Sequence, residues 1–161
     1  MKSFITLVSL LFALTMMTAC GGKDSYYEQF ISDKKASSRS LDLNKSLEEI
    51  RAIEKGKLIK DDINLLKYVY EIGENDTYIV SYLFDEKGCW EVGIDTYFEK
   101  EEDAQNLVEG IKAEISGTDY GSPSEDNNLC RWKSPTGSAS IELDYVNLGR
   151  GLVILTIMAD K

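Results

Sequence analysis

With no histidine, three cysteines and 28 carboxylates, this 161-residue chain has a narrow range of chemistry open to it. Without an imidazole there is no Ser-His-Asp or Cys-His mechanism and no histidine-containing zinc site. The carboxylates gather at Asp61-Asp62, Asp85-Glu86, Glu99 to Asp103 and Glu125-Asp126. None of these clusters has the alternating spacing of a calcium loop. An acid–base pair needs one carboxyl in an apolar pocket, and these turn and helix-entry positions do not offer one. Gly149-Arg150-Gly151 reads as a hairpin turn, because no helix N-terminus follows to cradle a phosphate. The chain is therefore expected to be no enzyme, with no metal, no cofactor and no catalytic residues. Cys130 sits in a strand pattern that points it inward beside Trp132, whereas Cys89, after the Gly88 turn, points outward. Free thiols are favoured over a Cys89–Cys130 bridge, since a disulfide needs converging Cβ vectors. Cys20 differs from both. It closes the run Met17-Thr18-Ala19-Cys20, behind Lys2 and an uncharged apolar stretch from Phe4 to Met17.

That stretch is too short to span a bilayer, and its flanks are those of a secretory signal. Its last four residues resemble the bacterial lipoprotein lipobox, with Met17 where leucine is usual. The resemblance implies a signal peptide over residues 1–19 and lipidation of Cys20, which becomes the first residue of the mature chain. Palmitate and related acyl chains on Cys20 would then hold the protein to a membrane, two or more chains giving stable anchoring. Gly21 stands where an aspartate would imply inner-membrane retention in enteric bacteria. The cell envelope is the expected location, at the outer membrane rather than the inner one. A net charge of −10 repels phosphate backbones and anionic headgroups, so no nucleic acid partner is expected and attachment falls to the acyl chains.

Behind the anchor, residues 20–40 are polar and mixed, which predicts a flexible tether with a transient turn around Tyr26 to Ile31. Residues 41–161 then predict one domain. A helix is marked by Leu43, Leu47 and Ile50, with the capping-box form Ser46-Leu47-Glu48-Glu49, and Gly56 ends it. Strands are predicted over 65–72, 77–85 and 90–98. A second helix, about 101–115, carries the apolar stripe Ala104, Leu107, Val108, Ile111 and Ile115. Strands over 129–134, 139–146 and 151–159 complete the domain. Helix and three strands thus occur twice, and Leu47 to Gly56 aligns with Val108 to Gly117. The expected fold class is α+β: two αβββ repeats, about 41–99 and 100–161, forming an antiparallel sheet with the helices on one face.

Strand alternation assigns the faces. Tyr78, Val80, Tyr82, Trp90, Val92, Ile94, Ile141, Leu143, Tyr145, Val153, Leu155 and Ile157 point to the helices. The other face carries Lys67, Val69, Ser81, Glu91, Asp95, Arg131, Glu142 and Asp144. It also carries Ile79, Leu83, Leu152, Ile154 and Met158, because the last strand is apolar on both sides. Those five residues form the candidate binding surface, with Tyr97 and Tyr120 as possible anchors at the rim. The apolar outer side has two readings: cover by the tether or the other repeat, or an exposed groove for a partner. Tyr120-Gly121-Ser122-Pro123, Trp132 and Phe84-Asp85-Glu86-Lys87-Gly88 are similar to the repeat of the secreted β-lactamase inhibitor protein. The small lipoprotein of the outer-membrane β-barrel assembly machine has a similar repeat. The first repeat here lacks the Gly-x-Pro turn, and each repeat shows one helix. The resemblance implies a protein-docking sheet. The expected function is non-catalytic binding or assembly with another envelope protein; the alternative is a carrier or sensor of a small apolar ligand.

Overall fold

The computed structural model describes residues 25–160, so Cys20 and the signal segment lie outside the described residues. The chain runs through helix α1 (Tyr26–Ile31), a 3₁₀ turn (Ser37–Asp42), helix α2 (Leu47–Ile53) and strands β1 (Lys57–Asp62), β2 (Leu65–Ile72), β3 (Asp76–Asp85) and β4 (Gly88–Tyr97). Helix α3 (Glu101–Ser116) and strands β5 (Ser124–Asp126), β6 (Leu129–Lys133), β7 (Ala139–Asp144) and β8 (Leu152–Ala159) follow. All eight strands form one antiparallel sheet in the order β1-β2-β3-β4-β8-β7-β6-β5. The protein is α+β.

One face of this sheet builds the core. Tyr78, Val80, Tyr82, Val92, Ile94, Ile141, Leu143, Val153, Leu155 and Ile157 are buried there with Ile50 of α2 and Leu107, Val108, Ile111 and Ile115 of α3. Helix α2 starts where its cap demands: the Ser46 hydroxyl accepts from the Glu49 N–H while the Glu49 carboxylate accepts from the Ser46 N–H. Helix α3 begins with Glu101, Glu102 and Asp103, which suit the positive end of its dipole.

Three sequence expectations change. First, residues 25–40 are not a flexible tether. Ser25 caps α1 with its own capping box, Phe30 and Ala36 are buried, and Tyr27 and Ile31 pack on the core. Glu114 on α3 fixes this segment by accepting from the Ala36 N–H (3.0 Å), the Ser37 N–H (2.9 Å) and the Tyr27 hydroxyl (3.3 Å). Polar residues dominate the segment, but their partners lie far along the chain, so composition alone hid their burial. Second, β1 and β5 extend the sheet at its two edges; both are exposed along their length and lack the alternation that marks a half-buried strand. Third, Cys89 is buried at 1% exposure and Trp90 only half-buried, the reverse of the alternation reading. A bulge causes the exchange: Leu83 pairs with Glu91 but Phe84 pairs with Cys89, leaving Trp90 as the extra residue.

The α1–α3 contact is close enough to exclude a methyl group. A Cβ at Gly110 would lie 2.3 Å from Cγ of the Tyr27 ring. Glycine to alanine inside a helix ordinarily stabilises by about 0.5–1 kcal/mol. Here the sign reverses: Gly110→Ala is expected to lose about 1–3 kcal/mol in denaturant unfolding by forcing the Tyr27 ring off the helix. A stabilised Gly110→Ala variant would contradict the docking of α1 on α3.

Candidate binding surface

The face of the sheet turned away from the helices carries no other element among the described residues. Its side chains follow from the strand register. One row across the sheet runs Leu65, Leu83, Glu91, Met158, Ser140 and Lys133. The next runs Lys67, Ser81, Gly93, Thr156, Glu142 and Arg131, and a third runs Val69, Ile79, Asp95, Ile154, Asp144 and Leu129. Tyr97 opposite Leu152 begins a fourth row at one end.

This placement brings four of the five expected residues into two groups on the central strands. Leu83 and Met158 flank Glu91, and Ile79 and Ile154 flank Asp95. Leu152 stands apart at the end of β8, beside Tyr97, which is half-exposed on the open face. Tyr120 packs against the core instead. All five expected residues are half-buried, since each is shielded only by its sheet neighbours.

The electrostatics of this face are uneven. Arg131 Nε donates to Glu142 at 2.8 Å, and Asp144 accepts from the Val146 N–H at 2.9 Å. Glu91 and Asp95 differ: among the described residues neither carboxylate receives a hydrogen bond or lies in an ion pair. Desolvation between apolar neighbours raises both above the usual carboxylate range, with the Lys67 charge working against the rise at Asp95.

Other clusters pair their charged groups internally, although Arg39 Nε and Trp132 Nε1 are buried without a hydrogen-bond partner among the described residues. On the helix side Arg39, 1% exposed, donates through Nη1 to Glu54 at 2.9 Å and to the Tyr82 hydroxyl at 2.8 Å. Tyr82 and Tyr70 both donate to Glu54, and Asp42 holds Lys45 at 2.7 Å together with Lys34. Burial pushes the Tyr82 phenol up. No pattern in the sequence announces this network, because Arg39 lies in a serine-rich stretch with no periodicity. At the far end of the sheet Lys112 binds both oxygens of Glu125 at 3.0 and 2.9 Å, and Tyr145 donates to the same carboxylate.

Cys89 and Cys130, the cysteines among the described residues, are free. Burial drives the Cys89 thiol up to about 12 and raises Cys130 as well, so both thiols stay protonated near neutral pH. Among the described residues, no group of three or more carboxylates and thiols is arranged to hold a metal ion. A cleft of about 280 Å³ is lined by Tyr26, Gln29, Asp76, Glu99 and Asp103, and another of about 300 Å³ by Asn44, Glu49, Ile63 and Glu86. Both lie at strand and helix ends, with carboxylates in each lining. Among the described residues no helix is long and apolar enough to cross a membrane. No family model matches the chain, and neither curated proteins nor solved structures give a significant match.

The raised carboxylates have a thermodynamic consequence with a definite sign. A group that binds its proton more tightly in the folded state contributes stability below its unfolded pKa and loses it as pH rises through the folded value. At pH 7 ionised Glu91 and Asp95 therefore destabilise the isolated fold. The double variant Glu91→Gln, Asp95→Asn is expected to melt higher than the parent at pH 7, with the gap closing toward pH 4. A variant that melts lower at pH 7 would show that these carboxylates are stabilised within the fold.

Proposed function

We propose that this chain is a non-catalytic, lipid-anchored protein of the cell envelope, docking another envelope protein on the open face of its sheet. The observation that carries the reading is the exposure of that face on the central strands β3, β4 and β8. Central strands are normally the best covered in a sheet, yet here Ile79, Leu83, Ile154 and Met158 share their outer side with two carboxylates that lack partners. Partly exposed apolar side chains around unmatched charges are the composition of an interface that meets a specific surface. The protonated thiols and the internally satisfied ion pairs favour binding over catalysis. A core of fully buried Trp132, Ile94 and Ile141, with the clefts at the ends of strands and helices and not between sheet and helices, favours docking over carriage of an apolar ligand.

Anchoring rests on Met17-Thr18-Ala19-Cys20 and its likeness to the lipobox. Attachment through acyl chains on Cys20, at the outer membrane, would set the docking face against partners of the same compartment. We also read the domain as a duplication. Each long half is a helix followed by four strands, α2 with β1–β4 and α3 with β5–β8. The sheet order runs outward from the central β4–β8 pair in the same sequence on both sides. This arrangement supports a two-repeat origin of the kind that the likeness to the β-lactamase inhibitor repeat implies.

Two experiments test the proposal. A photo-crosslinking amino acid at Ile154 or Leu83, activated in intact cells, is expected to trap one discrete protein adduct. The same group at Ile63, in the β1–β2 turn, should trap none. Adducts at all three positions, or at none, would contradict docking on the open face. Separately, Cys20→Ala is expected to abolish palmitate labelling; labelling that persists would remove the anchor from the account.

A further inference from the structure

Gly93 occupies the centre of the open face, and none of the described residues requires a glycine there. A Cβ at Gly56, Gly73, Gly88, Gly110 or Gly151 would meet another atom of the protein at 2.7 Å or less. At Gly93 the backbone is not left-handed, and an added Cβ would find only Ser81 Cβ, at an ordinary 3.9 Å. Glycine in a strand interior sacrifices packing and chain entropy, and often marks a place where another molecule approaches the backbone. The row through Gly93 is low on both sides, with Ser81 on β3 and Thr156 on β8. The flanking rows repeat one chemistry: Leu83, Glu91, Met158 on one side and Ile79, Asp95, Ile154 on the other. Glu91 and Asp95 are four residues apart on one strand, about 13 Å between Cα atoms. Beside Gly93 on the neighbouring strand lies Ser81. Ser81 is 6% exposed, lies on this face, and its hydroxyl has no hydrogen-bond partner. A buried hydroxyl left unpaired costs roughly 1–3 kcal/mol and is rare in native structures.

We propose that the gap over Gly93 receives a basic side chain, arginine or lysine, projecting from an apolar segment of the partner protein, and that Glu91 and Asp95 clamp it from the two sides. The inference rests on the docking reading above and gives the partner a chemistry. An arginine has five N–H donors, enough to meet two carboxylates on opposite sides of one gap. Its flanking apolar residues would cover Leu83 and Met158 in one row and Ile79 and Ile154 in the other. The unpaired carboxylates and the side-chain gap between them thus become two parts of one site, each unfavourable in the isolated chain.

A displayed library of random twelve-residue peptides, selected on the full chain in detergent, tests the assignment. Enriched peptides are expected to carry an arginine or lysine flanked by apolar residues. Their binding should weaken about tenfold or more in Glu91→Gln, Asp95→Asn, as expected for loss of charge-assisted hydrogen bonds. It should weaken as much in Gly93→Val, which places a β-branched residue suited to a strand where a Cβ meets only an ordinary contact. Circular dichroism establishes that each variant is folded. Enriched peptides without a basic residue, binding unaffected by either variant, or no enrichment above background would overturn the inference. Failure of this site and failure of the docking reading are separable. If the Ile154 crosslink in cells survives in Glu91→Gln, Asp95→Asn and in Gly93→Val, the face docks a partner but not through a basic side chain at Gly93.

Discussion

The fold depends on one buried ion pair. Arg39 and Glu54 have side chains 1% and 3% exposed, 2.9 Å apart, and the Tyr82 hydroxyl accepts from the guanidinium while donating to the carboxylate. Charges this deep are tolerated only when each is matched; removing one partner of such a pair typically costs about 3–5 kcal/mol. The match here joins three distant parts of the chain: the 3₁₀ turn after α1, the end of α2 and the middle of β3. Asp42, fully buried, extends it to Lys34 and Lys45. With Glu114 gripping the same segment from α3, residues 25–46 are drawn over the helix side of the sheet. That side is closed by the chain itself. The opposite side has no such cover among the described residues, and everything inferred about binding follows from this asymmetry.

The two sides also differ in how their carboxylates are matched. On the helix side, tyrosines, carboxylates and cations pair with one another, and Tyr70 stacks on Tyr78 with ring centroids 4.8 Å apart. On the open side the central strand alternates two unpaired carboxylates with a glycine, over a serine hydroxyl without a partner. A fold optimised only for its own stability would place valine or threonine at these positions. Local violations of this kind, concentrated on one surface, are what a binding site imposes on a scaffold.

Much of the scaffold is legible in the sequence, and what is not has identifiable causes. Helix α3 and strands β2, β3, β6, β7 and β8 stand out because each is half-buried and so alternates or repeats with the period of its element. The edge strands Lys57–Asp62 and Ser124–Asp126 bury nothing, so they leave no pattern. Cys89 and Trp90 read on the wrong faces because a single bulge residue inverts alternation from that point. The segment 25–40 reads as a tether because its buried anchor, Arg39, is charged, and its burial depends on Glu54 and Tyr82 elsewhere. Ile79, Leu83, Ile154 and Met158 were accessible through alternation on strands that are apolar on both sides. The meaning of Gly93 was not, since only three dimensions show that a Cβ there would meet no more than an ordinary contact with Ser81.

The central claim is that the open face is covered in the envelope and bare in isolation. Met158 reports on it directly: it sits on that face beside Glu91, and it is the only methionine beyond residue 17. Hydroxyl-radical footprinting would compare its oxidation in the purified full chain and in intact cells, each normalised to the highly exposed Ile63. The account predicts ready oxidation of Met158 in the purified protein and several-fold protection in cells. Equal oxidation in both settings would contradict it.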